Sequence, residues 1–546
     1  MLPDQLQFAL RKSCQSCSSC PRRPVVALVA ALAALLACTN RTSAGIGYVR
    51  ATDHEIVIKL SEDLEDTPRA IHAIPVDNPD IPVNEAPVVC AGVLHDREIH
   101  IPRYKDDRDR LYCRFQLVRD GEPIGSALHV TDLSGISRKA ALLPTPSSPK
   151  GLQCIVDIDD AIALGVKHSA VNVSLAQLYD PTGQSSIVHL VDGVPIAINP
   201  GIVAHLDATI GRMTAAGMRV NLILLNYLPA RGNPATPLVD PRSQRGTPQG
   251  IGGFHLDTPE ALRLYRGLIE FLAARYSDPD RPHGAVAGYI VGNEIQSHYA
   301  WYNLGDIDLE TLVNNYARVL RITDLAVRRH HPDGRVFISM DHNWNRPHFP
   351  EPTRSVPGRV LLEALHAHIV QHGDFPWGVA FHPYPENLGD PRTWNDTTAT
   401  LDFDTPRITF KNLEVLTTYL HQPRFLYQGR SRRILLSEQG FHCLDTPDGE
   451  LLQAAAYAYA YERVRRIEGI EAFIYHRHVD HAGEGGLRLG LRENRPNTIS
   501  GPGKARKIYH VFQSFDTPGH AEATDFALDV IGLESWDELG PKPVSH

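Results

Sequence analysis

"AGYIVGNEIQSHYAW", residues 287–301, is the stretch on which the fold turns. Ala287-Gly288-Tyr289-Ile290-Val291 is a short apolar run of the kind that forms a strand buried on both faces. Gly292, Asn293 and Glu294 break the run, and His298, Tyr299 and Trp301 follow closely. A strand built for a dry core thus ends in an amide, a carboxylate and aromatic rings.

The same unit recurs on either side. Apolar runs occupy 151–158, 168–175, 219–227, 335–344, 377–384, 432–442 and 470–480. Helical stretches lie between them, at 201–217, 259–276, 309–330, 358–372, 412–420, 451–467 and 503–515. Strand alternating with helix predicts a parallel sheet with crossover helices. Eight such units within 151–546 predict an α/β fold, a (β/α)8 TIM barrel with enlarged loops. An open doubly wound sheet is the alternative. It fits less well, because no glycine-rich phosphate loop follows the first strand and "GIGGFH" (250–255) falls in a long loop.

Upstream, residues 46–141 hold short alternating strands such as "HEIVIKL" and "LYCRFQLVRD", split by turn residues, and predict an all-β sandwich. Residues 142–150 are rich in Pro and Ser and read as a linker. Residues 1–45 read as an export leader. Arg11, Lys12, Arg22 and Arg23 precede the apolar run 24–37, which is shorter than the roughly 20 residues a spanning helix needs. Ala37-Cys38 resembles a bacterial lipobox, so a lipidated Cys38 would attach the chain to a membrane in the cell envelope. Plain secretion and a retained signal anchor are the other outcomes. Cys14, Cys17 and Cys20 lack a fourth ligand at metal-binding spacing. Cys90 and Cys113 share the sandwich and could pair if exported, or stay thiols. The formal charge of −9 comes with no long basic run, which argues against a nucleic-acid partner.

In a barrel the C-terminal strand ends share one mouth, where the active site lies. The polar residues cluster at those ends: Asn226 and Tyr227 after strand three, Asn293 and Glu294 after four, His342, Asn343 and Trp344 after five. His382 and Tyr384 follow strand six, Glu438 and His442 strand seven, and His476, Arg477, His478 and Asp480 strand eight. Glu294 and Glu438, on strands four and seven, stand on opposite sides of the mouth. Two carboxyl groups across a glycosidic bond, one protonated and one ionised, are what its hydrolysis requires.

This layout resembles glycoside hydrolase clan A, the retaining (β/α)8 glycosidases, and within it poorly characterised bacterial families. The motifs are "VGNE" at strand four and "LLSEQG" at strand seven. The resemblance implies that Glu294 is the acid/base and Glu438 the nucleophile. Asn293 would then bind a sugar 2-hydroxyl, and His382 or Tyr384 would contact the nucleophile. The implied substrate is a β-linked oligo- or polysaccharide, cleaved without metal or other cofactor. Two departures stand out. Strand eight offers "HRH" instead of a Trp platform, and strand two offers no Arg. Arg477 with His476 and His478 would suit an anionic sugar, unless Arg477 pairs with Asp480 or Glu438. Trp301, Tyr302, Trp344 and Trp394 are candidate stacking platforms, and Asn226, His298, His342 and Asn343 are candidate contacts.

Two rival functions stay open. The rim histidines suggest a metal-dependent barrel hydrolase, although strand one lacks the His-x-His usual in amidohydrolase barrels. A surface glycan-binding protein would need neither glutamate. The sandwich could bind carbohydrate or brace the barrel, and bracing fits better. The long loops 228–258 and 385–410 could wall a cleft or cap a pocket. Oligomeric state is not legible.

Overall fold

The computed structural model describes residues 45–540 except 62–66, 95, 230–235, 245, 246 and 248. The leader, with Cys14, Cys17, Cys20 and Cys38, lies outside the described residues.

The apolar runs form eight parallel strands: β1 (Lys150–Gln153), β2 (His168–Ser174), β3 (Arg219–Leu225), β4 (Val286–Val291), β5 (Arg335–Asp341), β6 (Gly378–His382), β7 (Ile434–Gln439) and β8 (Ile470–Tyr475). They close in sequence order, with β1 pairing both β2 and β8. Alternation along β3 shows how a continuous apolar run serves two cores. Ile223 and Leu225 join Ala170, Ile290, Phe337, Ala380, Leu435 and Ile474 inside the barrel. Val220, Leu222 and Leu224 face the surrounding layer instead.

That layer contains one helix after each strand: α1 (Ile158–Ala163), α2 (Pro200–Ala215), α3 (Pro259–Arg275), α4 (Leu309–His330), α5 (Gly358–Gln371), α6 (Glu414–Leu420), α7 (Gly449–Val464) and α8 (Lys507–Ser514). Their starts are chemically marked. Asn199, Thr258 and Asp308 accept backbone N–H bonds at the heads of α2, α3 and α4. A further helix, α9 (His520–Ile531), follows the barrel. Two hairpins were not anticipated: 187–191 with 194–198, and 492–494 with 502–505. No helix among the described residues is long and apolar enough to cross a membrane.

Before the barrel stand two four-stranded sheets. One orders strands 132–135, 46–52, 55–60 and 98–102; the other orders 88–92, 69–74, 114–119 and 122–129. Their apolar side chains, Val49, Ile56 and Ile58 with Ile71, Phe115 and Leu117, belong to one buried cluster. Cys90 and Cys113 are both free thiols, so the pairing weighed from sequence does not form.

The sandwich rests on the barrel's helices. Tyr112 donates to Glu270 Oε1 at 2.5 Å, and Glu270 also receives Arg266 (3.0 Å) and His189 (3.2 Å). Arg329 of α4 bridges Glu270 and Asp109 of the sandwich. Glu270, Asp109 and Arg266 are buried, so each depends on its partners to offset desolvation.

Candidate active site

Glu294 follows β4 through a tight turn. Gly292 has φ +68°, and a Cβ there would sit 2.7 Å from the Ile295 side chain, so glycine is needed. Glu294 itself has φ +43°, a left-handed conformation that costs energy for a residue with a Cβ. Its N–H donates to Ser339 Oγ on β5 at 3.0 Å. The turn therefore fixes the glutamate over the barrel opening.

The side chain is buried, and its Oε1 lies 2.9 Å from Nδ1 of His382, at the end of β6. His382 Nε2 lies 3.1 Å from Ser437 Oγ on β7. Beside Ser437, the half-buried Glu438 accepts the Tyr384 hydroxyl at 3.2 Å. One ligand atom each from Glu294, His382 and Glu438 lies within 4.8 Å of the others. The two carboxylates thus meet across one small gap.

Their environments push them apart in acidity. Burial raises Glu294 to about 7; the nearby Asp341 and Glu438 add to this and the His382 contact opposes it. Burial also acts on Glu438, but His476, His382, and hydrogen bonds from Gln153 and Tyr384 outweigh it and hold the carboxyl below its ordinary value. Burial disfavours charge on His382 as well, yet its contacts with Glu294, Glu438 and Asp341 raise it. Near neutral pH one glutamate can carry a proton while the other is an anion.

A second layer orients this pair. Asp341 ends β5, accepts the Ser297 hydroxyl at 2.5 Å, and accepts the Asn343 N–H at 2.6 Å. His342 Nδ1 lies 2.9 Å from the Tyr384 carbonyl oxygen. Gln153, ending β1, places its amide 2.8 Å from His476 Nδ1. Contacts with Cys154 and Glu484, and the nearby Glu438, push His476 up to about 10 against burial. A cis peptide joins His476 to Arg477. Asn293 is buried next to Glu294, and Trp301 packs half-buried on the inner barrel cluster beside Tyr227.

Several candidates are placed elsewhere. Trp344 is fully buried, donates to the Phe403 carbonyl at 3.1 Å and meets Tyr419 edge-on, so it has no open face for a sugar. Tyr302 is equally buried, and Trp394 packs against Tyr459. His298 is buried, and burial lowers it to about 4. Asn226 ties two loops, accepting Ala176 N–H (3.1 Å) and donating to Leu238 O (2.6 Å).

Arg477 pairs with Glu484, not with Asp480 or Glu438, while Asp480 takes Arg506. His476 and His478 do not converge: His478 Nε2 binds Asp160 at 2.8 Å, whereas His476 Nε2 binds Glu484 at 3.1 Å. Gln153, Ser437, Asp341 and Glu484 were not singled out in the sequence. Position at a strand end marks Gln153, Ser437 and Asp341, whereas Glu484 lies in the loop well past β8 and carries no such signal.

Fold and mouth together define a (β/α)8 barrel with paired glutamates at the ends of its fourth and seventh strands. The chain belongs to the Family of unknown function (DUF5722), which matches residues 143–539. No curated protein matches it. Among solved structures it is similar to a family 39 glycoside hydrolase from the gut symbiont Bacteroides cellulosilyticus WH2, with 12% identity, TM-score 0.44, 85% of this chain and 80% of that chain. It is similar also to the hyperthermophilic β-glucosidase from Pyrococcus furiosus, with 13% identity, TM-score 0.42, 68% of this chain and 86% of that chain. A family 1 β-glucosidase from Thermotoga maritima gives 12% identity and TM-score 0.39, over 67% and 85% of the two chains.

Proposed function

We propose that the protein is a retaining glycoside hydrolase acting on β-linked oligo- or polysaccharides. Glu294 donates a proton to the leaving oxygen while Glu438 attacks the anomeric carbon. Glu294, now ionised, then takes a proton from the water that releases the sugar from Glu438. The observation that carries this is the approach of the two carboxylates to within 4.8 Å, with their acidities driven in opposite directions. Retaining enzymes hold the pair about 5–5.5 Å apart, whereas inverting ones need roughly 6.5–9.5 Å to admit a water between.

Tyr384 supports the nucleophile through its hydroxyl. His382 bridges acid and nucleophile strands, so one imidazole fixes both. Asn293 is proposed to meet the sugar 2-hydroxyl. The test is a panel of aryl glycosides and oligosaccharides, with Glu294→Gln and Glu438→Gln alongside. Full activity in either variant removes that glutamate from the mechanism.

A metal-dependent hydrolase is the second reading, because Glu294, His382 and Glu438 could also enclose a cation. His382 is the weak member of such a set, since both ring nitrogens already have partners. Activity that disappears on chelation and returns with a divalent ion would favour this reading.

The export leader and attachment through Cys38 stand as proposals for the first 45 residues. Labelling with a radioactive fatty acid, lost in Cys38→Ala, would test lipidation.

A further inference from the structure

A cavity of about 420 Å³ lies between the sandwich and the barrel's helices. Its walls come from Ile74–Pro79 and strands of the sandwich on one side, and from α4 and α5 on the other. Arg114, Arg318, Arg321, His129, His368 and His372 all line it. The residues of the glutamate mouth are not among its walls.

The arginines are held but not neutralised. Arg114 and Arg318 each donate one N–H to a carbonyl, of Pro79 and Val76, at 2.6 Å. Arg321 donates to the Gly373 carbonyl and stacks on Phe375 at 4.2 Å. Among the described residues none of the three forms an ion pair with a carboxylate. Arg321 is only 3% exposed, yet its Nη1 has no partner. Arg318 Nε and His129 Nδ1 are likewise unpartnered.

Two acidic residues do line the cavity. Asp257 is already bound to Arg242 at 3.0 Å, and Asp80, beside Arg114, is exposed. Burial lowers Arg321 to about 10 although Asp324 and Asp374 oppose it, and burial with Arg321, Arg114, His372 and His368 depresses His129.

A buried N–H left unpaired is destabilising, and buried charge is normally paired. Ligand pockets of about 300–1,000 Å³ hold small molecules, and guanidinium groups match carboxylate and phosphate oxygens. We propose that this cavity binds a small oxyanionic ligand, a phosphate- or carboxylate-bearing molecule, which clamps the sandwich onto the barrel. Such a ligand meets the guanidinium groups of Arg114 from the sandwich and Arg318 from α4, and so joins elements from both sides.

Titration calorimetry and thermal unfolding of the whole protein with inorganic phosphate and, separately, citrate test this, against sodium chloride at matched ionic strength. The proposal expects saturable binding and a rise in unfolding temperature with at least one probe. Phosphate preference would indicate a phosphoryl ligand, and citrate preference a carboxylate ligand. Arg318→Gln should weaken binding at least tenfold, and Arg114→Gln, at the more open edge, should weaken it too. Both should melt like wild type in chloride, and Glu294→Gln should bind normally. An Arg321→Met variant strengthens the case only if it folds, so the other two carry the test. No saturable binding of either probe, or unchanged binding in both variants, would overturn the proposal.

Discussion

Replacing Glu294 by Gln should stabilise the folded protein at alkaline pH while removing the proposed acid/base. Its carboxyl sits at about 7 instead of an ordinary 4.5, chiefly because it is buried. Ionising it in the native state therefore costs about 3 kcal/mol once the pH exceeds both values. The raised value fixes the sign. Between 4.5 and about 7 the native state holds a proton that the unfolded chain has released, so this group's contribution to stability falls as pH rises through that window.

Gln keeps an amide near His382 but cannot ionise. The stability gain of Glu294→Gln should therefore be small at about pH 5 and grow to about 3 kcal/mol at about pH 8. Glu438 should behave oppositely. Its carboxyl is held low, so its contribution is present above the ordinary range and is lost only as pH falls through the native value. Glu438→Gln should then destabilise at neutral pH. Urea unfolding midpoints across this pH range measure both. A Glu294→Gln gain that is absent at high pH, or identical pH trends for the two variants, would refute the reasoning.

Activity should follow a bell-shaped pH profile, its alkaline limb near 7 from loss of the Glu294 proton and its acid limb below the ordinary glutamate value from protonation of Glu438. Kinetics of kcat/KM against pH check this. Tyr384→Phe removes the hydroxyl that binds Glu438 at 3.2 Å, and should lower kcat by roughly 10–100-fold while the fold persists by circular dichroism. Trp344→Ala should cost about 3–5 kcal/mol of stability, read by denaturation, with little change in KM, since the ring is core rather than platform. Glu270→Ala strips one carboxylate from Arg266, which keeps Asp192, and one from Arg329, which keeps Asp109, and should cost about 1–3 kcal/mol. Limited proteolysis should then release the sandwich more readily.

The barrel was legible because a parallel strand buried on both faces is a continuous apolar run, and all eight runs became strands. Ends were less legible. The first apolar run reads to 158, but Cys154 turns left-handed at φ +51° and Asp157 caps α1, so β1 stops at Gln153. The hairpin around Asp192-Gly193 has an Asp-Gly turn signal in the sequence.

At the site, Glu294, Glu438, His382 and Tyr384 could be picked out because each stands at or just past a strand's C-terminal end. What each of the others touches could not. Trp344 follows β5 as closely as Tyr384 follows β6, but one ring turns into the core and the other reaches Glu438. Arg477 finds Glu484 in the segment after β8, a pairing set by a loop that has no periodicity to read.

The central claim is that Glu438 forms the covalent bond to the sugar. With a reactive β-aryl glycoside from the panel, Glu438→Ala should be nearly inert until azide is added, and NMR of the product should then show the α-glycosyl azide. Hydrolysis by Glu438→Ala at the wild-type rate without azide, or a β-glycosyl azide as the product, would contradict the account.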